Sequence, residues 1–169
     1  AVVGADADLA AVLTRLLRAD RLDIEVAYVP RRRTRATRIY RLPAGRRAAR
    51  RARRGHARRV TLLRDETGSV VVGRAGWLPP EGARIVHGEA VVDDTLLFDG
   101  DAAAVDVEPT LSVPGLRTRV RTGRRRWVAG RAAQLGGTGV TVVRDGVAAP
   151  RPARRSTFYR NVEGWLAVS

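Results

Sequence analysis

Two short segments contain residues whose types could support catalysis or ligand binding, and Gly4-Ala5-Asp6-Ala7-Asp8 is the first. It follows a short apolar run and precedes a segment with helical periodicity. A tight turn between a strand and a helix can direct its backbone amides toward a phosphate, and a carboxylate there can reach a Mg²⁺ ion. The same position also suits a helix cap, in which Asp6 or Asp8 complements the helix dipole. Residue types alone favour the cap.

The second segment is Asp145-Gly146, which lies between two apolar runs near the end of the chain. Asp-Gly in this setting is a strong signal for a β-hairpin turn. An aspartate fixed at the rim of a sheet can also act as a general base. The turn alone satisfies the spacing, so both interpretations stay open.

The composition excludes several other kinds of site. The 169 residues include no cysteine, which rules out disulfides and thiolate-bound metals. They include no lysine, so the chain has no Walker A loop, and His56 and His87 have no evident catalytic partner. No apolar run approaches the roughly 20 residues that a membrane-spanning helix needs, and no signal peptide is visible.

The net charge of +15 and a pI near 11.7 indicate an anionic partner, for which nucleic acid, anionic lipid headgroups and phosphorylated ligands all qualify. The arginines fall into four groups, at residues 31–38, 46–59, 117–126 and 151–160. They form either a solvated surface or a face that captures phosphates or an anionic membrane. Aromatic residues make up 5% of the chain, which disfavours a stacking platform for single-stranded nucleic acid.

Apolar periodicity predicts the elements that must position these residues. A helical stripe is formed by Leu9, Val12, Leu13, Leu16 and Leu17. Alternation over residues 23–29 predicts a strand that ends at Pro30, and residues 31–42 form a basic turn and a short helix. A second arginine-rich helix follows over residues 44–56, with Gly55 as its cap.

Beyond residue 56 the pattern changes to short strands separated by turns. We expect strands at residues 60–64, 69–73, 83–92, 102–107, 116–122, 139–143, 157–161 and 165–168, with a hairpin turn at 66–68, a break at 77–80 and acidic turns or loops at 93–94 and 99–101. The layout predicts an α/β piece over residues 1–56 and an all-β, sandwich-like domain over residues 57–169. The fold class is α+β overall, with the last strands packing back on the first lobe.

Taken in order, these segments resemble the diacylglycerol kinase catalytic-domain family of lipid kinases, which shares its nucleotide lobe with NAD kinases. The family's GGDGT loop corresponds to Gly4-Ala5-Asp6-Ala7-Asp8, which keeps the first glycine and the central aspartate. Its GTGND-type loop corresponds to Arg31-Arg32-Arg33-Thr34-Arg35, followed by the family's Leu-Pro at Leu42-Pro43. Its Asp-Gly-Glu hairpin corresponds to Asp145-Gly146-Val147. The resemblance covers most of the chain as an ordered pattern. It implies that residues 1–56 are an α/β nucleotide-lobe fragment that lacks the lobe's first strands.

The resemblance implies ATP and Mg²⁺ as cofactors and ATP-dependent phosphoryl transfer to a lipid hydroxyl. Asp145 would be the catalytic base, and Asp6 would orient the nucleotide or ligate its Mg²⁺. The remaining nucleotide contacts would come from the two loops, at Gly4, Asp8, Arg31, Arg32, Arg33 and Thr34.

The expected partners are a nucleotide and an anionic membrane surface or lipid substrate, and a homodimer is compatible with the sequence. We therefore expect a cytoplasmic protein that attaches peripherally to the inner membrane face. Two alternatives stay open. One is a catalytically inactive relative that binds a phosphorylated or lipid ligand or a protein partner, and the other is a basic nucleic-acid-binding module.

Overall fold

Apolar strands from the two ends of the chain meet in one small sheet. In the computed structural model, which describes residues 1–121 and 126–169, this sheet has the order β1-β2-β15-β3. Its strands are β1 (Val2–Val3), β2 (Glu25–Val29), β3 (Ala57–Val60) and β15 (Trp165–Val168). β2 is parallel to both β1 and β15, and β3 is antiparallel to β15. The predicted parallel strand-helix-strand unit is confirmed, and the last strand lies between β2 and β3.

Three helices accompany this sheet: α1 (Asp6–Arg18), α2 (Arg35–Ile39) and α3 (Gly45–Arg54). The predicted stripe of α1 buries Leu9 and Leu13, whereas Val12 lies at its exposed margin. α3 ends at Gly55 as predicted, and Ala48 is its buried residue. Leu9 and Leu13 share one apolar core with Trp165 from the last strand.

The strands from β4 to β14 form one large antiparallel sheet with a second apolar core. They are β4 (Leu63–Asp65), β5 (Val70–Val71), β6 (Ala75–Leu78), β7 (Val86–Val92), β8 (Thr95–Ala102), β9 (Val105–Pro109), β10 (Leu116–Val120), β11 (Val128–Gly130), β12 (Ala132–Arg144), β13 (Val147–Ala148) and β14 (Ala153–Arg160). β12 organises the sheet, because one half pairs with β7 and β14 and the other half with β6 and β13. The predicted α+β fold class is confirmed.

Several strands differ from the sequence-based expectation. The predicted break at residues 77–80 begins inside strand β6, where Trp77 is fully buried against Phe158, and the two prolines follow that strand. Residues 99–101, expected in a loop, lie in β8, where Asp101 pairs with His87 on the exposed face of β7. The strand expected at residues 139–143 is the end of the 13-residue β12.

Other local predictions are confirmed. β4 and β5 form the expected hairpin, and the Asp65 carboxylate accepts the amide hydrogens of Thr67 and Ser69 in its turn. The strand expected at residues 60–64 is instead divided, because Val60 ends β3 in the small sheet and Leu63 begins β4 in the large one. The strand expected at residues 116–122 is present as β10, and residue 122, like the rest of the segment 122–125 in the third arginine group, lies outside the described residues. No helix in the described part of the chain is long and apolar enough to cross a membrane.

Candidate functional site

Asp145 lies in the turn between β12 and β13, with a positive φ of 47° that aspartate tolerates better than most residues. Its Oδ1 accepts the amide hydrogens of Gly73 and Arg74, at 2.7 and 2.9 Å. Its Oδ2 accepts the amide hydrogen of Val72 at 2.9 Å. The turn predicted from Asp145-Gly146 therefore fixes a carboxylate against the segment that joins β5 to β6.

This environment gives Asp145 unusual acid-base properties. Loss of hydration raises the pKa of its carboxyl group to about 6, and the nearby Asp6 charge acts in the same direction, against the lowering effect of the three amides. A carboxylate has about four lone-pair positions, and these hydrogen bonds take three of them. The remaining one, on Oδ2, can accept a proton near neutral pH.

Asp6 is held equally firmly, at the first residue of α1. Its Oδ1 accepts the Tyr28 hydroxyl of β2 at 2.8 Å, and its Oδ2 accepts the amide hydrogen of Ala36 in α2 at 3.1 Å. Burial and the hydrogen bond to Asp6 raise the pKa of Tyr28 above its usual range, so this hydroxyl stays a donor. Asp6 thus joins α1, β2 and α2 at one point.

The two carboxylates flank the backbone of Gly73, a residue that the sequence patterns did not single out. A Cβ at this position would lie 2.8 Å from Asp6 Oδ2 and 2.9 Å from Asp145 Oδ1, which is closer than carbon and oxygen atoms pack. The absence of a side chain allows both acids to approach the same stretch of backbone. The structure therefore brings together two residues that lie far apart in the sequence.

Asp6 and Asp145 border a cavity of about 330 Å³, a volume at the lower end of the usual range for small-molecule sites. Three guanidinium groups share its wall, from Arg35, Arg74 and Arg121. The rest of the lining is small or apolar: Ala75, Gly76, Leu78, Val143 and Gly146. The cavity therefore combines a proton acceptor, three permanent cations and an apolar wall.

Two buried acids on β9, Asp106 and Glu108, hold these arginines in place. Asp106 accepts hydrogen bonds from Arg119 and Arg121, and Glu108 accepts them from Arg35, Arg74 and Arg117. Burial acts to raise the pKa of both carboxyl groups, but the arginines outweigh it and keep each pKa below its usual value. Both acids are therefore ionised at neutral pH.

Comparison with known proteins shows similarity in structure but not in sequence. No family model matches the sequence, and no curated protein matches it. A diacylglycerol kinase from Bacillus anthracis superposes with a TM-score of 0.70 over 98% of this chain and 75% of its own, at 10% identity. An NAD kinase from Archaeoglobus fulgidus in complex with ATP gives 0.66 over 99% and 76%, at 11% identity. Yeast NADH kinase complexed with NADH gives 0.63 over 99% and 60%, also at 11% identity.

The chain has the fold of diacylglycerol kinases and NAD kinases. The predicted resemblance is confirmed at the level of the fold. The cavity between Asp6 and Asp145 is the candidate site in this fold.

The cavity lining does not include the other predicted site residues, which are Gly4, Asp8, Arg31, Arg32, Arg33 and Thr34. The Asp8 carboxylate turns back on its own loop and accepts the amide hydrogen of Ala5 at 2.8 Å, and it contacts Gly4 so closely that a Cβ there would overlap it. A phosphate that approached this amide would have to displace the carboxylate. The loop at residues 4–8 therefore behaves as the helix cap that its residue types favour, with Ala5 as the N-cap and Asp8 reaching back to it.

The second predicted loop is also peripheral to the cavity. Arg31, Arg32 and Arg33 are exposed, and Thr34 caps α2 by accepting the amide hydrogen of Thr37 at 3.2 Å. Arg35, the next residue, is the one that reaches the cavity. A role for these loop residues in nucleotide binding stays a prediction.

The cavity fits an anion better than a Mg²⁺ ion. Within residues 1–121 and 126–169, no group of three His, Cys, Asp or Glu residues could hold a metal. Asp6 and Asp145 both accept hydrogen bonds from the protein, and the three guanidinium groups at the cavity wall would repel a divalent cation. We therefore derive no catalytic step through Mg²⁺.

Proposed function

We propose that this chain is a kinase that transfers a phosphoryl group from a nucleoside triphosphate to the hydroxyl group of a lipid, with Asp145 as general base. The observation that carries the proposal is the free lone-pair position of Asp145 at a cavity lined by three arginines. The diacylglycerol kinase and the ATP-bound NAD kinase with the same fold support this class of reaction.

In the proposed reaction Asp145 Oδ2 takes the proton of the acceptor hydroxyl while the hydroxyl oxygen bonds to the terminal phosphorus. The bond from that phosphorus to the bridging oxygen breaks, and the nucleoside diphosphate leaves. The pKa of about 6 suits this task, because the group is ionised at neutral pH yet basic enough to share a proton. Asp6 acts as a positioning residue, since it fixes α2 and hence Arg35 beside the cavity.

The lipid acceptor is supported by the basic exposed face of α3. Its six arginines are all exposed: Arg46, Arg47, Arg50, Arg51, Arg53 and Arg54. A basic residue near an anionic bilayer contributes about 1 kcal/mol of binding free energy. This face would hold the chain at an anionic membrane, where lipid substrates are found.

The decisive experiment is label transfer from Mg-ATP into diacylglycerol carried in anionic vesicles. We expect labelled lipid with the wild-type chain and a loss of at least about 100-fold with Asp145→Asn. Asp93→Asn is the matched control, because Asp93 also has a positive φ and accepts two backbone amides, but lies outside the cavity. Equal losses in both variants would mean that turn stability, and not proton transfer, governs the rate.

The two alternative functions, an inactive relative and a nucleic-acid-binding module, predict different results in the same experiment. Vesicle binding without transfer would contradict the kinase proposal and support a catalytically inactive relative. The hydrogen bond from the Ala5 amide to Asp8 would explain the inactivity, because it leaves this loop amide unavailable to a phosphate. Tight binding to nucleic acid at physiological salt without vesicle binding would contradict both and support a nucleic-acid-binding module.

A further inference from the structure

The arginines around the cavity form a network with an excess of positive charge. Five guanidinium groups surround two carboxylates, which leaves three formal positive charges uncompensated within the network. The two acids, Asp106 and Glu108, are at most 1% exposed, so they are shielded from ligands. They act as internal anchors that fix the arginines, of which Arg35, Arg74 and Arg121 line the cavity.

Strand register produces this network. On adjacent antiparallel strands, Arg117 lies directly opposite Glu108 and Arg119 directly opposite Asp106. Arg121 extends the same face of the chain past the end of β10 and bonds to Asp106. Because opposite charges at paired positions stabilise a sheet, this part of the network is fixed by the fold itself.

The cavity-lining arginines retain donors for a ligand. A guanidinium carries five N–H groups, and the anchoring hydrogen bonds use one from Arg35 and two from Arg74. Arg121 contributes two of its nitrogens to Asp106. Side-chain exposures of 38%, 30% and 43% leave all three accessible from the cavity. Convergent, pre-positioned guanidinium groups are well suited to a phosphate, which they bind through paired N–H donors.

We propose that Arg35, Arg74 and Arg121 bind a phosphate group in this cavity without a divalent cation. The inference rests on the proposed function only in placing the ligand in the same cavity, and it does not require transfer to occur. The guanidinium charges take the place that a metal ion would have in neutralising the phosphate. This assignment accounts for a cavity in which Asp6 and Asp145 are held by hydrogen bonds from the protein and the other charged side chains are cationic.

A nucleoside triphosphate and a phosphorylated alcohol would present the same phosphate chemistry to these arginines. Two probes separate the sources: inorganic tripolyphosphate represents the nucleotide's phosphate chain, and glycerol 3-phosphate represents a phosphorylated alcohol. Preference for the first assigns the arginines to the phosphoryl donor. Preference for the second assigns them to an acceptor or product that already carries a phosphate.

The test is calorimetric titration of the full chain with each probe, in EDTA and in excess Mg²⁺, at physiological ionic strength. We expect binding of at least one probe in EDTA. For glycerol 3-phosphate, which binds Mg²⁺ only weakly in solution, excess Mg²⁺ should change the Kd by less than about threefold. Arg35→Gln should weaken binding by about tenfold or more, because it removes a charge-assisted hydrogen bond. Binding that needs Mg²⁺, or no binding of either probe, overturns the proposal.

Arg117→Gln is the matched control. Arg117 bonds to the same Glu108 and is similarly exposed, at 42%, but it lies outside the cavity lining. We expect it to change the Kd by less than about threefold. An equal loss of affinity in both variants would mean that the change in net charge, and not a contact with the phosphate, weakens binding. Arg121→Gln provides a second test if either variant fails to fold, as judged by thermal unfolding.

The binding and transfer experiments fail independently. Phosphate binding in EDTA without label transfer upholds the arginine site and contradicts the kinase. Label transfer with strictly Mg²⁺-dependent phosphate binding upholds the kinase and contradicts the arginine site.

Discussion

Replacing Asp145 by asparagine should change the stability of the chain in a pH-dependent way. Because folding raises the pKa of this carboxyl group from 3.8 to about 6, the folded state binds the proton more tightly than the unfolded state. The free energy of unfolding therefore falls as the pH rises through this interval. The full effect corresponds to about 3 kcal/mol at about 1.4 kcal/mol per pH unit.

Asparagine cannot ionise, so the variant lacks this pH-dependent loss. In the wild type the amide hydrogen of Val72 is donated to Asp145 Oδ2. The asparagine places an NH₂ group, which cannot accept this hydrogen, against a backbone N–H, and this destabilises the fold by about 1–3 kcal/mol at any pH. We expect Asp145→Asn to be less stable than the wild type near pH 4 and to match or exceed it near pH 8. The difference between the two measurements, about 2–3 kcal/mol, is free of the hydrogen-bond contribution.

Urea denaturation followed by tryptophan fluorescence at the two pH values measures this difference directly, provided that the slope with urea is the same for both chains. A difference between wild type and variant that stays constant from pH 4 to pH 8 would refute the raised pKa. It would also remove the physical basis for Asp145 as a base near neutral pH.

Three further variants test the construction of the site. Gly73→Ala should lower the free energy of unfolding by about 1–3 kcal/mol, because the added Cβ would overlap both carboxylates. Gly136→Ala, where a Cβ meets open space, should change it far less. Similar values for the two variants in a denaturant titration would contradict the close approach of the two acids. Glu108→Gln should destabilise the chain by about 1–3 kcal/mol, because it removes the charge of a buried group that accepts hydrogen bonds from three arginines. Glu163→Gln, in an exposed ion pair, should destabilise it by at most about 1 kcal/mol, and equal thermal shifts would argue against the anchoring network. Asp8→Ala should lower stability by about 1 kcal/mol through loss of its hydrogen bond at the helix cap, and an unchanged melting temperature would contradict the cap.

Local periodicity predicts the parts of this fold whose patterns are uninterrupted. The helical stripe at Leu9 and Leu13, the last strand at residues 165–168 and the Asp145-Gly146 turn all follow from neighbours within one element. The sequence predicts a break at Trp77 because two prolines follow shortly after it, but these prolines only mark the end of β6, which contains Trp77. The length of β12 is hidden by its glycines, which accompany a register shift within the strand.

The candidate site depends on contacts that no local pattern contains. Asp6 and Asp145 meet only because both pack against Gly73, and nothing in the sequence marks that glycine as different from those in turns. The arginine network, in contrast, could have been predicted from a pattern in the sequence. The alternating acids at Asp106 and Glu108 and the alternating arginines from Arg117 to Arg121 fall on neighbouring strands with period two, so a register-based comparison would have paired them.

The pH dependence of label transfer into lipid tests the central claim most directly. If Asp145 is the base, kcat/KM rises with pH and reaches a plateau with a midpoint near the pKa of about 6. Vesicle binding measured at the same pH values separates this rise from changes in membrane attachment. A rate that is constant from about pH 5 to about pH 8 while vesicle binding is unchanged would contradict the assignment of Asp145 as the general base.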